Sequence, residues 1–323
     1  MIAVASSALI VAACNRSSAA PLEKARRWKS IAFAADGTTI IALPDDNSSE
    51  AVTISLATGA TTNRALPAGA SQIPVQSPDG RYIAFSQSSG KDLQQIIIAN
   101  ADLSQQRPLS TSASHDMYPM FAASPTRIYF ARAGFNGNYD GITRPGFHEW
   151  DIFSADIEGK NVEQLTQEKF YDISVPAISP NGKILILTPF TEEGTRFELY
   201  ELTAKPMSKR VLTPKILNGL EHPQFGSPVF LPDGKSILFM AASLARDRFS
   251  YDYDVYRMDL SDQQVEKLTS EGGYATDLCI GSDGKKAAFL RWTLSANRRP
   301  ESNEIIVLDL ASKSANPLKL AVP

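Results

Sequence analysis

Ser77-Pro78-Asp79-Gly80, followed at once by Arg81-Tyr82-Ile83-Ala84-Phe85, is the stretch of this 323-residue chain that decides its fold. Pro78 presets φ for the second position of a type I turn, and Gly80 accepts the positive φ that closes a hairpin. The apolar residues after the turn are typical of a strand. The stretch therefore predicts two antiparallel strands joined by a tight turn.

The same turn recurs five more times along the chain, each time followed by an apolar run. The other copies are Ala35-Asp36-Gly37, Ser124-Pro125-Thr126, Ser179-Pro180-Asn181-Gly182, Leu231-Pro232-Asp233-Gly234 and Gly281-Ser282-Asp283-Gly284. The third copy lacks glycine, so we expect an altered turn there. Successive turns are about 43 to 56 residues apart, the range for a four-stranded propeller blade with loop insertions.

Each repeat continues with a third strand and a short fourth strand that ends on leucine and a small polar residue. The clearest of these ends are Leu165-Thr166, Leu212-Thr213 and Leu268-Thr269. One such sheet cannot bury both of its faces, whereas six arranged in a ring do so and leave only short edges. We therefore predict an all-β fold, a six-bladed β-propeller of four-stranded antiparallel blades.

The predicted domain organisation is a signal and tether over residues 1–21 and a propeller over residues 22–323. The expected blades cover about residues 29–66, 73–111, 116–167, 171–214, 221–270 and 274–320. Two ways of closing the ring stay open at this point. The first and last blades could meet in a plain interface, or the segment from Leu22 to Trp28 could add to the last blade.

The turn, the strand ending in Phe and the Leu-Thr close together resemble the TolB-type, WD-like propeller repeat of bacterial envelope proteins. The resemblance extends from about Ile31 to Leu320. It implies the propeller fold and a place in the bacterial envelope. It does not imply one activity, because propellers host adaptors, hydrolases and lyases alike.

The N-terminus predicts export and a lipid anchor. Ile2 to Ala13 is an uncharged apolar run, too short to span a bilayer as a helix but of the length of a signal h-region. Val11-Ala12-Ala13-Cys14 resembles the bacterial lipobox, which implies lipidation of Cys14 and, with Asn15 next, sorting to the outer membrane. No Lys or Arg precedes the run, and an ordinary cleaved signal is the alternative. We expect a periplasmic lipoprotein anchored to the outer membrane.

Composition and motifs favour binding over catalysis. The formal charge of −3, with acids and bases interleaved, argues against a nucleic-acid partner. The sequence has no Gly-x-Ser-x-Gly elbow, no phosphate-cradling glycine loop and no paired-cysteine metal site. We therefore expect a non-catalytic protein without a cofactor, which binds or scaffolds an envelope protein or a glycan.

The strand directions place the long insertions on one side of the disc. The Asp-Gly turns lie on what we call the turn face. The loops from second to third strands, and the crossovers between blades, lie on the opposite side, the loop face. The expected insertions there are residues 131–149, 189–196, 241–253 and 291–303. Loops extended from a rigid scaffold are the usual place for binding.

Aromatic and arginine side chains are concentrated in the blade-three and blade-five insertions. Such side chains suit stacking on a sugar ring or gripping a peptide. Alternatively, the aromatic rings pack the long loops onto each other. The predicted ligand-binding residues are Arg132, Tyr139, Arg144, Phe147, Trp150 and Tyr251.

All three histidines, His115, His148 and His222, also map to the loop face. His115 and His222 are expected in crossovers near the channel mouth, and His148 in the blade-three insertion. With neighbouring carboxylates they could hold a divalent cation. This loosely resembles the seven-bladed oligogalacturonate lyases, which carry a metal on the propeller axis. The alternative function is thus a metal-assisted lyase or hydrolase acting on an acidic polysaccharide, although solvated side chains that only hydrogen-bond neighbouring loops explain the same residues.

Overall fold

The computed structural model describes most of the chain beyond the N-terminal segment. The described residues are 27–46, 50–66, 70, 73–89, 93–109, 114–137, 146–191, 194–204, 206–212, 214, 224–244, 251–270, 272–297 and 299–321. They form six four-stranded antiparallel sheets, each built from one continuous stretch of chain, and no helix. The predicted six-bladed β-propeller is confirmed.

The first three blades follow the chain in order. Blade 1 contains β1 (Trp28–Phe33), β2 (Thr39–Pro44), β3 (Glu50–Ser55) and β4 (Thr61–Ala65). Blade 2 contains β5 (Val75–Gln76), β6 (Tyr82–Ser88), β7 (Gln94–Asn100) and β8 (Arg107–Pro108). Blade 3 contains β9 (His115–Phe121), β10 (Arg127–Gly137), β11 (Gly146–Asp156) and β12 (Glu163–Gln164).

The last three blades repeat this arrangement with one addition. Blade 4 contains β13 (Ala177–Ile178), β14 (Ile184–Leu187), β17 (Phe197–Glu201) and β18 (Ser208–Leu212), and the small hairpin β15 (Phe190–Thr191) and β16 (Gly194–Thr195) projects between β14 and β17. Blade 5 contains β19 (Gln224–Phe230), β20 (Ser236–Leu244), β21 (Tyr251–Asp259) and β22 (Val265–Lys267). Blade 6 contains β23 (Tyr274–Ile280), β24 (Lys286–Leu294), β25 (Pro300–Asp309) and β26 (Ser314–Pro317).

The Ser-Pro-Asp-Gly turn forms through its side chains as well as its backbone. Ser77 Oγ donates to Asp79 Oδ1 at 2.7 Å and accepts from the Tyr82 amide at 3.0 Å. Gly80 has φ of 72° and donates to the Ser77 carbonyl at 2.9 Å. A left-handed φ is costly for residues that carry Cβ, which is why glycine recurs at this position.

The Leu-Thr close is a hydrogen-bonded lock between the third and fourth strands. In blade 3, Thr166 Oγ1 accepts from the Ile152 amide at 2.9 Å and donates to Asp151 Oδ1 at 2.7 Å. Blade 5 repeats it, since Thr269 Oγ1 donates to Asp254 Oδ1 at 3.0 Å. The threonine and the aspartate are buried in both blades, so each satisfies the other. The repeated sequence motif therefore has a structural role.

The ring closes through an interface between blades 1 and 6. The Trp28 amide donates to Asn303 Oδ1 at 2.8 Å, and Asn303 Nδ2 donates to the Trp28 carbonyl at 2.7 Å. An apolar core that includes Ile31 and Leu290 lies behind this pair. Among the described residues, blade 6 contains only its own four strands. Of the two closures left open by the sequence, the plain interface is the one observed there; residues 22–26 lie outside the described part.

Candidate functional site

The innermost strands of the six blades surround a central channel of about 720 Å³. Its wall is mostly apolar, with Lys29 and Asp277 as the charged members among the described lining residues. A cavity of this size and polarity falls in the usual range for ligand sites, about 300 to 1,000 Å³.

Three β-bulges shape the channel wall at equivalent positions. Two residues of the innermost strand oppose one phenylalanine of the second strand in blades 3, 5 and 6. The first residue of each bulge has a left-handed φ, of 56° at Tyr118, 50° at Ser227 and 57° at Asp277. This backbone conformation is energetically unfavourable for a residue that carries Cβ. Bulges often change the direction of a side chain next to a binding site. All three residues line the channel.

Asp277 is the acidic group in the channel. Burial raises the pKa of its carboxyl, and hydrogen bonds from the Thr276 and Ser30 hydroxyls partly oppose that shift. Lys29 lies on the same wall. Among the described lining residues, the channel therefore offers one cation and one acid, with hydroxyl groups beside the acid and a mostly apolar wall around them.

The blade-three insertion is a strand extension and not the loop that the sequence predicts. β10 and β11 stay paired from Arg127↔Asp156 out to Gly137↔Gly146, so the hairpin projects beyond the blade on the loop face. Blades 5 and 6 show the same continuation, with Leu244↔Tyr251 and Leu294↔Pro300 as their last pairs. In the described residues, much of what was expected as loop is therefore strand, because backbone pairing continues where both strands keep their register; residues 138–145 and 245–250 lie outside the described part.

His115, Phe147 and Trp150 pack against each other at the base of this hairpin. The rings of His115 and Phe147 stack with centroids 3.5 Å apart, and Trp150 meets His115 edge-on at 5.5 Å. Trp150 Nε1 donates to the Phe147 carbonyl at 3.0 Å. His115 and Trp150 are buried, and Phe147 is half-buried. These contacts join β9 to β11 and fix the direction of the hairpin.

Arg132 is held by a bidentate ion pair. Its Nε lies 2.7 Å from Asp116 Oδ1 and its Nη2 lies 2.9 Å from Asp116 Oδ2. The guanidinium also lies over the rings of Phe130 and Phe153, at 5.3 and 4.9 Å from their centroids. Asp116 is 1% exposed and Arg132 is 19% exposed. The residue that the sequence predicts as a ligand contact therefore also ties β10 to β9.

His148 lies between the hairpin and the next crossover. Its Nδ1 is 3.0 Å from the Tyr171 carbonyl oxygen, and its ring stacks on Tyr171 at 4.4 Å. Partial burial raises the pKa of Asp172, while the Ile173 amide and the charge of His148 oppose that rise. Burial and the charge of Asp172 raise the pKa of Tyr118 on the channel wall. The contacts of His148 with Tyr171 thus join the hairpin to the crossover between blades 3 and 4.

Exposed aromatic side chains on the loop face are the main feature that the sequence analysis missed. Tyr171 is 40% exposed, Phe190 is 42% exposed and Tyr274 is 36% exposed. Tyr171 and Tyr274 stand in or next to crossovers, and Phe190 begins the small hairpin of blade 4. The available signal was an aromatic residue shortly before an innermost strand, the same position that drew attention to His115.

A second aromatic group lies across the face at blades 5 and 6. Tyr274 is 6.2 Å from Tyr253 and 6.4 Å from Trp292, measured between ring centroids. Arg27 lies over the Trp292 ring at 5.3 Å. The loop face thus carries one group of aromatic rings at blades 3 and 4. A second group, accompanied by a cation, lies at blades 5 and 6.

Several predicted site residues lie outside the described part of the chain. These are Cys14, Tyr139, Arg144 and His222, together with the side chain of Tyr251. The structure brings together Phe147, Trp150 and His115 and places Arg132 on Asp116. Within the described residues, no three His, Cys, Asp or Glu side chains converge as a metal-binding group. The roles assigned to these residues from sequence stay predictions.

In the part of the chain that the structure describes, no helix is long and apolar enough to cross a membrane.

The fold and the channel define the class of the protein, a six-bladed β-propeller with an aromatic loop face. In sequence, the chain is 26% identical over 187 residues to a protein described as a TolB homolog from Chlorobium chlorochromatii (strain CaD3). That match covers 58% of this chain and spans 37% of the length of the relative. No family model matches the chain.

Two solved structures illustrate the likeness of fold. TolB from Acinetobacter baumannii aligns with a TM-score of 0.54 at 17% identity, over 91% of this chain and 68% of that one. Oligogalacturonate lyase from Vibrio parahaemolyticus aligns with a TM-score of 0.59 at 12% identity, over 93% and 80%. The comparisons confirm the resemblance to TolB. Sequence identities this low between this chain and solved structures show the fold alone. The lyase, an enzyme, shares this fold to the same degree as TolB does.

Proposed function

We propose that this protein is a non-catalytic periplasmic propeller that binds or scaffolds a protein or glycan of the envelope through its loop face. The observation that carries the proposal is the location of the exposed aromatic residues. Tyr171, Phe190 and Tyr274 are the exposed aromatics among the large hydrophobic side chains of the described residues, and all three lie on the loop face. Aromatic residues, tyrosine included, are enriched among the residues that dominate binding at recognition surfaces.

The chemistry of that face suits a partner with apolar or ring-shaped groups. Tyrosine and tryptophan provide a large apolar surface and a polar edge, which favours sugar rings and peptide side chains alike. Arg27 lies over Trp292 at the rim, and its guanidinium is paired with Asp45 at 3.0 Å. The remaining predicted contacts, Tyr139, Arg144 and Tyr251, belong to the same face by their position in the sequence.

Replacement of the exposed rings tests the proposal. A variant with Tyr171→Ser, Phe190→Ser and Tyr274→Ser should lose the partner that the wild-type protein retains, either from an envelope glycan array or from a detergent-solubilised envelope fraction after cross-linking. The control is Val162→Ser, since this valine is exposed and lies between β11 and β12, away from the loop face. Equal retention by the triple variant and the wild type would refute the proposal, as would no partner in either assay.

We infer the periplasmic, outer-membrane location from the N-terminal lipobox and the TolB-like repeats. Cys14 would carry the lipid and residues Ser17 to Pro21 would form the tether. Mass spectrometry of the membrane-associated protein should find a diacylglyceryl-modified Cys14 as the first residue. A Cys14→Ser variant that stays in the membrane fraction would contradict the anchor.

The alternative function, a metal-assisted lyase or hydrolase, depends on His115, His148 and His222. His115 is stacked on Phe147 and His148 on Tyr171 in the structure, and His222 lies outside the described residues. Elemental analysis of protein purified without chelators distinguishes the two functions. A stoichiometric divalent metal that is lost in a His115→Ala, His222→Ala variant would favour the enzyme.

A further inference from the structure

The interface between blades 1 and 2 is packed differently from the other five. Each of the others contains one continuous apolar core in the described residues, and the core between blades 4 and 5 includes the mutually packed rings of Phe197, Phe225 and Phe239. Blades 1 and 2 have instead two small separate clusters, one around Ile41 and one around Phe85. In the described residues, this interface therefore lacks the continuous apolar core of the other five.

A cavity of about 420 Å³ lies in that interface. Its wall on blade 1 includes Phe33, Ile41 and Leu66 besides several alanines, and Val75 and Ile83 of blade 2 line it as well. Because Ala35, Arg64 and Ala65 of the lining are exposed, the cavity is a cleft that opens to solvent. The volume falls within the usual range of ligand sites, about 300 to 1,000 Å³. Residues 67–69 and 71–72 lie outside the described part and are not included in this site.

The cavity has one charged side chain. Arg64, exposed on the outer strand β4, is the only charged residue among the described lining residues, and no ion pair of Arg64 is found in the described part of the chain. The other polar side chains are already engaged. Gln76 Nε2 donates to the Gly80 carbonyl at 3.2 Å, and Ser77 Oγ is bonded to Asp79 and Tyr82.

We propose that this cleft between blades 1 and 2 binds a medium-chain fatty acid. The alkyl chain occupies the apolar cavity, and the carboxylate pairs with the Arg64 guanidinium, whose planar fork matches a carboxylate. The site is separate from the loop face and goes beyond the proposed function.

Calorimetric titration of the folded protein with decanoate, below its micelle concentration, tests the proposal. We expect saturable binding of one decanoate, which Arg64→Gln weakens about five- to tenfold because a charge-assisted hydrogen bond at an exposed position is lost. Binding of 1-decanol should be the same in both proteins, and acetate should not bind. Arg257→Gln removes an exposed arginine from blade 5 and is the matched control, with affinity unchanged.

A second variant tests the cavity itself. Ala34→Phe places a ring in the space, and we expect it to abolish decanoate binding while the thermal midpoint stays equal or rises. Absence of decanoate binding to the wild type would overturn the proposal. Wild-type affinity in Ala34→Phe would show that the ligand binds elsewhere, and wild-type affinity in Arg64→Gln would show that the carboxylate is not recognised by this arginine.

Discussion

Asp116 and Arg132 are joined by two hydrogen bonds, of 2.7 and 2.9 Å, across the first two strands of blade 3. The carboxylate is buried and Ser114 Oγ also donates to it at 3.0 Å. The pair stands immediately beside the stacked rings of His115 and Phe147. It therefore supports the base of the hairpin that forms part of the proposed recognition face.

We expect Asp116→Asn to lower the free energy of unfolding by about 2 to 3 kcal/mol. Breaking a fully buried pair costs more, but Arg132 keeps some contact with water. Urea denaturation at 25 °C measures the change. Glu266→Gln, which removes an exposed partner of Lys313, should cost less than about 1 kcal/mol. A similar small loss for Asp116→Asn would show that the pair does not support the hairpin.

The Thr166–Asp151 lock predicts a stability effect at the end of blade 3. Thr166→Val keeps the shape of the side chain but removes the hydroxyl that joins Asp151 to the Ile152 amide. We expect a loss of about 1 to 3 kcal/mol, since the buried Ile152 amide loses this acceptor, while Asp151 Oδ1 keeps the bond from the Glu168 amide at 2.8 Å. Thr61→Val on the exposed strand β4 is the control, at under about 0.5 kcal/mol. Equal effects in urea denaturation would contradict a structural role for the Leu-Thr close.

Ring closure predicts a specific effect at Asn303. Asn303→Ala removes the two hydrogen bonds that this side chain makes to the Trp28 amide and carbonyl. We expect a loss of about 2 kcal/mol and faster hydrogen exchange at the start of β1. Asn316→Ala, at an exposed position of β26, provides the comparison. Exchange at Trp28 that is unchanged in Asn303→Ala would show that the apolar core closes the ring without this pair.

Asp277 predicts a pH dependence of stability. Its pKa is raised in the folded protein above the ordinary value of 3.8, so folding favours the protonated form. As the pH rises above that value, the wild type loses stability relative to Asp277→Asn, because a charged carboxylate becomes buried. Below about pH 3.8 the two proteins should be equally stable. Urea denaturation at about four pH values between roughly 3.5 and 7 measures the difference in unfolding free energy between the two proteins. A difference that stays constant across this range would contradict the raised pKa.

The sequence predicted the fold correctly where the residues of a turn and the apolar residues of the following strand indicate the same local structure. The Pro78–Gly80 turn and its copies identify every blade, because each repeat carries its own hydrogen bonds and its own apolar strand. In the third copy, where Arg127 and not a glycine follows Thr126, β10 begins directly after Thr126. Extension of β10 and β11 was not foreseeable, since residues such as Asn136 and Gly137 are typical of loops and the pairing depends on the partner strand.

The chain by itself determined the number of blades, their strand order and the side on which the long hairpins project, because these follow from short-range turns and period-two patterning. Only the tertiary structure decided which aromatic rings are buried and which are exposed. Trp150 is buried against His115, whereas Tyr171 and Tyr274 reach solvent. It also decided that blades 1 and 2 leave a cavity. Packing between blades depends on side chains distant in the sequence, and no local pattern encodes that fit.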